Sequence, residues 1–281
     1  MLAVRYLAPL AVALAACTLL TDVEGLSGSD AETLDASDAE AAEATTDVAS
    51  ELDAGSEGDG MLGDASDGGA CNAPGLVAFY RFEEGAGDVV RDCSPYKNDG
   101  TLTTGAWVPG VHGGAVSLDG GWVAAGNADV YQLVGDITVA AFIRVDQFPD
   151  GLTDSTSGYI VGKAVGTSAG WRLATESSGT ASFRLGLGAD KFLAATPAPV
   201  SALTWLHVAA VHRPGRITFY LNGAPVSTEY ADAGVGIINA AAEVRIGARG
   251  DGKQGFAGAI DEVRIYNRAL EDNEVYAIAE R

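Results

Sequence analysis

Between Thr18 and Ala70 the chain carries no lysine, no arginine and no aromatic residue. Asp, Glu, Ala, Ser, Gly and Thr dominate this stretch, which holds 15 of the chain's 38 acidic residues. Such a composition cannot bury enough apolar surface to offset the entropy lost on ordering. Its like charges repel and extend it, so residues 17–70 read as a disordered acidic tether with a reach of roughly 40 Å or more. Basic residues are scarce throughout: Lys+Arg number 17, for a net charge of -21. That balance excludes nucleic acid as a partner, because a phosphate backbone needs a basic surface. Long apolar runs are also missing. Tyr6–Ala16 is eleven residues, well short of the roughly 20 that a helix needs to cross about 30 Å of hydrocarbon.

That short run, preceded by Arg5 and followed by Cys17, has the form of an export signal over residues 1–16. Leu14-Ala15-Ala16-Cys17 resembles the lipobox of bacterial lipoproteins. The resemblance implies cleavage before Cys17, diacylglycerol on its thiol and acylation of the new amino group. Two or three acyl chains, at about 0.8 kcal/mol per buried methylene, would anchor the chain permanently. Thr18 follows the cysteine where an Asp would be an inner-membrane signal, which points to the outer membrane or cell surface of a bacterial envelope. The membrane is expected as a partner through this anchor alone.

From residue 71 the pattern changes to short apolar alternations separated by Gly, Asp and Asn. Candidate strands are Leu76–Phe82, Ala115–Leu118, Trp122–Ala125, Ile137–Val145, Tyr159–Lys163, Gly170–Thr175, Ala181–Leu187, Leu206–His212, Arg216–Leu221, Glu243–Ile246 and Ala257–Tyr266. This predicts an all-β fold over residues 71–281, a two-sheet antiparallel β-sandwich of jelly-roll type. A short helix, Glu271–Ala279, closes the chain. Asn222-Gly223 between two alternating runs marks a tight hairpin, since both residues accept positive φ.

Strand phase separates core from surface. Ile137, Val139, Ala141, Ile143 and Val145 share one face, continued by Leu173, Phe183, Leu185, Leu187, Ile217, Phe219 and Leu221. The opposite phase carries Arg144, Arg172, Arg184 and Tyr220, which the sequence suggests as a ligand groove on one outward face or as scattered charges on a solvated sheet. Beyond Cys17 there are two cysteines, Cys71 and Cys93. In an exported domain such a pair predicts a disulfide, with two free thiols as the alternative.

Several stretches taken together resemble the laminin G-like, concanavalin A-like jelly-roll family. They are LVAFYRFEE (76–84), RDCSPYKNDGTL (91–102), GVHGGAVSL (110–118), DITVAAFIRV (136–145), WLHVAAV (205–211), RITFYLNG (216–223), VRIGA (244–248) and IDEVRIYNRAL (260–270). The resemblance implies a sandwich that binds glycans or proteins, often with one structural calcium. In related glucanases the Asp of a closing strand similar to Ile260-Asp261-Glu262-Val263 ligates that ion. Asp261 is therefore the first calcium candidate, with Asp92 and Asn98 of the Asp-x-Ser-x(3)-Asn-x-Gly loop behind it. The alternative for Asp261 is a carboxylate that satisfies turn amides.

Catalytic signals are weak. Retaining glucanases of this fold place two carboxylates about 5 Å apart from a Glu-x-Asp-x-x-Glu strand, and no strand here has that spacing. Gly166-Thr167-Ser168-Ala169-Gly170 matches Gly-x-Ser-x-Gly, yet it leads into a strand pattern rather than a helix. His112, His207 and His212 lack zinc spacing. The sequence thus predicts a monomeric, non-catalytic domain that recognises a glycan or surface protein. A polysaccharide-active enzyme and a structural spacer are the alternatives.

Overall fold

A computed structural model describes residues 68–152, 156–188, 190–230 and 236–280. Cys17, the export signal and the acidic segment to residue 67 lie outside the described residues. Gly68–Ala70, given to the tether by the sequence, belong to a helical turn, α1 (Gly68–Cys71).

Sixteen strands follow among the described residues. In chain order they are β1 (Leu76–Tyr80), β2 (Val89–Val90), β3 (Gly100–Leu102), β4 (Ala106–Pro109), β5 (Gly114–Asp119), β6 (Val123–Gly126), β7 (Ile137–Gln147) and β8 (Ser157–Lys163). The second half comprises β9 (Trp171–Glu176), β10 (Ala181–Leu187), β11 (Asp190–Ala195), β12 (Trp205–Arg213), β13 (Arg216–Leu221), β14 (Ala224–Tyr230), β15 (Val244–Ile246) and β16 (Ala257–Tyr266). One sheet has the order β14-β13-β12-β7-β16-β5-β4, with β1 also paired to β16. The other has the order β11-β10-β9-β8-β15-β6-β3-β2. The named pairings are antiparallel, as the sandwich prediction requires.

The core lies between the two sheets. Ile137, Val139, Ala141, Ile143 and Val145 from β7 meet Leu173, Phe183 and Leu185 from the opposite sheet, and all eight are fully buried. Leu187 and Leu221, expected in the core, sit partly buried at its margin. The period of two in the sequence therefore identified the inward phase correctly on both sheets. Each buried Leu, Ile or Phe side chain contributes about 1.5–3 kcal/mol relative to exposure. The hairpin between β13 and β14 turns on Asn222 (φ 48°) and Gly223 (φ 77°), the positive-φ pair that such a turn needs.

The sequence showed no strand at β2, β3, β4 or β11, and marked β14 only as the second run of the Asn222-Gly223 hairpin. The first three are two to four residues long, too short to show alternation. β14 contains Pro225 and is an edge strand, where a missing amide donor does no harm.

The outer face of the first sheet is covered. Helix α2 (Asp272–Ala279) packs there, with Val275 fully buried among Leu76, Phe79, Ala209, Val211, Tyr220 and Tyr266. Glu271 is its N-cap, and the Glu271 amide donates to Glu274 Oε2 at 2.9 Å. Arg268 grips the Glu274 carboxylate through both terminal nitrogens, at 2.8 and 2.7 Å. The Cys71–Cys93 disulfide forms as the sequence predicted, with Cα atoms 5.3 Å apart, and both cysteines pack against this outer cluster.

Candidate binding groove

The outer face of the second sheet is built differently. Trp171 and Leu173 of β9 point into the core, which sends Arg172 and Glu176 outward. Phe183 and Leu185 of β10 do the same for Ser182 and Arg184. Together with Tyr159 and Ser157 of β8 they floor a groove of about 440 Å³. Its rim comes from loops carrying Thr156, Thr167, Ser178, Thr180, Arg249 and Gln254. This volume falls in the range of roughly 300–1,000 Å³ that small-molecule sites occupy.

A polar network fixes the floor. Arg172 Nη2 donates to Glu176 Oε1 at 3.0 Å, two pleats along the same strand. Glu176 also accepts from Ser157 Oγ at 2.6 Å and Ser182 Oγ at 2.5 Å. The Arg172 guanidinium lies 4.9 Å from the Tyr159 ring centre, a cation–π contact that helps hold it flat. Arg184 sits directly opposite Arg172 across the β9–β10 ladder. Burial holds its guanidinium below the ordinary arginine range, and the Arg172 charge adds to that effect against Glu176. The Nε atoms of both arginines are buried without a hydrogen-bond partner.

The four residues proposed from the sequence as one outward face are divided between two faces. Arg172 and Arg184 line the groove. Arg144 and Tyr220 belong to the other sheet. Arg144 donates to Asp146 Oδ1 at 3.0 Å and lies over the Trp205 ring. Tyr220 is buried beneath α2 and donates to Asp272 Oδ1 at 2.7 Å, so it holds the helix and cannot touch a ligand. Alternation distinguishes inward from outward, but each sandwich has two outward faces. Glu176, Tyr159, Ser157 and Ser182 were missed as groove residues. Glu176 shares the phase of Arg172 and Ser182 that of Arg184, so the signal was present in the alternation.

The three calcium candidates are each engaged in hydrogen bonds. Asp92 is buried and its carboxylate accepts four hydrogen bonds. Oδ1 takes the amides of Phe79 and Ser94, both at 2.9 Å, while Oδ2 takes Ser94 Oγ at 2.8 Å and the Asn98 amide at 3.0 Å. Asn98 in turn gives its carbonyl to the Tyr80 hydroxyl at 2.6 Å. Asp261 Oδ2 accepts the amides of Val111 at 2.9 Å and His112 at 3.1 Å, the turn-amide role that the sequence left open. Its other oxygen is buried without a partner. Burial pushes this carboxyl up to about 7, with the neighbouring Glu262 charge acting in the same direction. Among the described residues no group of three or more His, Cys, Asp or Glu side chains is placed to share an ion.

Ser168 and the Arg249-Gly250-Asp251 tripeptide sit in loops, and His207 in a strand. Ser168 lies in the loop between β8 and β9, with no helix after it. Arg249 closes a two-point contact on Asp251 within the Arg-Gly-Asp turn, both distances 2.8 Å. His207 is buried beside Phe142, and burial with the nearby Arg264 charge pushes it down to about 3.

Comparison with known proteins matches the sequence model of the concanavalin A-like lectin/glucanases superfamily to residues 118–276. Domain 4 of AbnA, an extracellular GH43 arabinanase from Geobacillus stearothermophilus solved in complex with arabinotriose, superposes with a TM-score of 0.59 at 22% identity. It covers 73% of this chain and 98% of that one. The binding domain of botulinum neurotoxin DC, solved with rat synaptotagmin II, gives a TM-score of 0.52 at 14% identity, covering 73% of this chain and 51% of that one. At these identities the likeness is one of fold. In sequence, 75 residues are 35% identical to a segment of adhesion G-protein coupled receptor V1 of Danio rerio. That segment is 26% of this chain and 1% of the receptor.

Proposed function

The chain belongs to the concanavalin A-like lectin/glucanases superfamily, and from this we propose that it is a non-catalytic carbohydrate-binding domain carried on a bacterial lipid anchor. The observation that carries the reading is the groove on the second sheet. It presents hydroxyls from Ser178, Thr180 and Thr167, one aromatic ring and three arginines around a space of sugar size. Hydroxyls and guanidinium groups are the donors and acceptors that sugar hydroxyls require. Glu176 is the only carboxylate among the described lining residues, and three donors already engage it. A hydrolytic site of the two-carboxylate kind needs a second acid, which supports binding without turnover. The anchor rests on Leu14-Ala15-Ala16-Cys17, and the acidic segment after it would hold the domain clear of the headgroups.

The test is a glycan array probed with the purified full chain, followed by calorimetry on each hit and reducing-sugar release over hours. Binding is expected, lost on Arg172→Ala, with no release of sugar. Binding that survives Arg172→Ala would move the site elsewhere. Release of sugar would establish the enzyme. An empty array beside a single protein recovered from envelope extracts would replace the glycan by a protein partner.

A further inference from the structure

We infer that the groove selects acidic carbohydrates, with Arg184 receiving a carboxylate of the sugar. The inference rests on the groove being a glycan site and names the class of sugar it takes. Arg172 and Arg184 stand directly opposite on adjacent strands, an arrangement that like charges make unfavourable. One carboxylate faces them, and Glu176 is already held by Arg172, Ser157 and Ser182. Among the described residues Arg184 makes no ion pair, and its Nε is buried without an acceptor. Arg172, only 4% exposed, has a second orphan Nε beside it. A half-buried guanidinium with no anion is costly, and it stands in a chain whose net charge is -21. Composition therefore does not account for a cationic spot here, whereas an incoming anion does. A planar carboxylate fits the guanidinium fork better than other anions do, because two parallel N–H groups meet two oxygens.

The surroundings point to a sugar as the carrier of that carboxylate. Leu193, across the β10–β11 ladder from Arg184, is 41% exposed and offers an apolar step for the C–H face of a ring. Ser178 and Thr180, hydrogen-bonded to each other at 2.8 Å, present hydroxyls at the rim.

The experiment measures binding of the full chain to polygalacturonate, alginate and sialyllactose, each beside its carboxyl-reduced counterpart, with dextran sulfate as a further arm. At least one acid form is expected to bind tenfold or more tightly than its reduced partner. The difference should shrink as salt rises. Arg184→Gln should remove the preference without lowering the melting temperature, because among the described residues Arg184 has no ion pair or hydrogen bond to lose. Arg184→Lys should restore part of it. Equal binding of acid and reduced forms overturns the inference and leaves a neutral glycan site standing. Binding to dextran sulfate alone overturns the carboxylate in favour of a sulfate ester. Binding to none of the probes, with an empty neutral array, overturns both the inference and the glycan reading beneath it.

Discussion

Replacing Asp92 by Asn asks whether this carboxylate is a hub for the chain around it or a ligand for a metal. Its two oxygens accept three backbone amides and one hydroxyl, joining β1 at Phe79 to the loop at Ser94 and Asn98. An amide of the same shape keeps a single acceptor oxygen. If that oxygen retains Phe79 and Ser94, the new NH₂ faces the Asn98 amide, and donor meets donor. The Ser94 hydroxyl can rotate to accept, but the Asn98 amide is stranded. A stranded buried amide costs about 1–3 kcal/mol, and the lost charge assistance on the surviving bonds brings the total to about 3 kcal/mol. For a domain of this size each kcal/mol moves the melting temperature by about 2–4 °C, so a fall of about 6–12 °C is expected. Asp92→Ala, which strands all four donors, should fall further. The assay is thermal unfolding followed by near-ultraviolet circular dichroism, run with calcium and with chelator. If the carboxylate is a hub, chelator leaves the wild-type melt unchanged. A fall under about 2 °C in Asp92→Asn, or a wild-type melt that drops with chelator and recovers with calcium, would refute the reasoning.

Asp261, pushed up to about 7 by burial, binds its proton more tightly folded than unfolded. Stability should therefore fall as pH rises from about 4 to about 7, by up to a few kcal/mol. Asp261→Asn, whose oxygen still accepts the Val111 and His112 amides, should flatten that slope, and a wild-type melt that rises from pH 5 to 8 would count against it. Cys71→Ser with Cys93→Ser removes a crosslink spanning 22 residues. Chemical denaturation should show a loss of roughly 3 kcal/mol. Tyr220→Phe deletes the hydroxyl that holds Asp272, at a cost of about 1 kcal/mol. Its glycan affinity by calorimetry should equal wild type, since it lies on the face away from the groove, and a weakened affinity would return Tyr220 to the site.

Much of the architecture could be read from the residues because strand signals are local. β7, β9, β10, β12 and β13 alternate over six residues or more, and Phe183 and Phe219 lie in the core as their phase requires. The Asn222-Gly223 turn needs no tertiary partner to be recognised. The short strands β2 and β3 exist only because β6 offers them an edge to extend, so nothing within their few residues announces them. Asp92 was visible in the sequence as a loop acid and a calcium candidate, but not its burial or the four donors that converge on it from β1 and the loop.

Which side chains face inward can be read from the residues, since that follows from the two-residue period of an extended chain. The sequence also pointed to the disulfide, because only Cys71 and Cys93 follow Cys17. The tertiary structure alone decided which outward face each arginine joins and which of those faces stays open. Both depend on pairings between strands far apart in the chain, which place β9 and β10 in one sheet and lay α2 across the other. No local pattern carries that information.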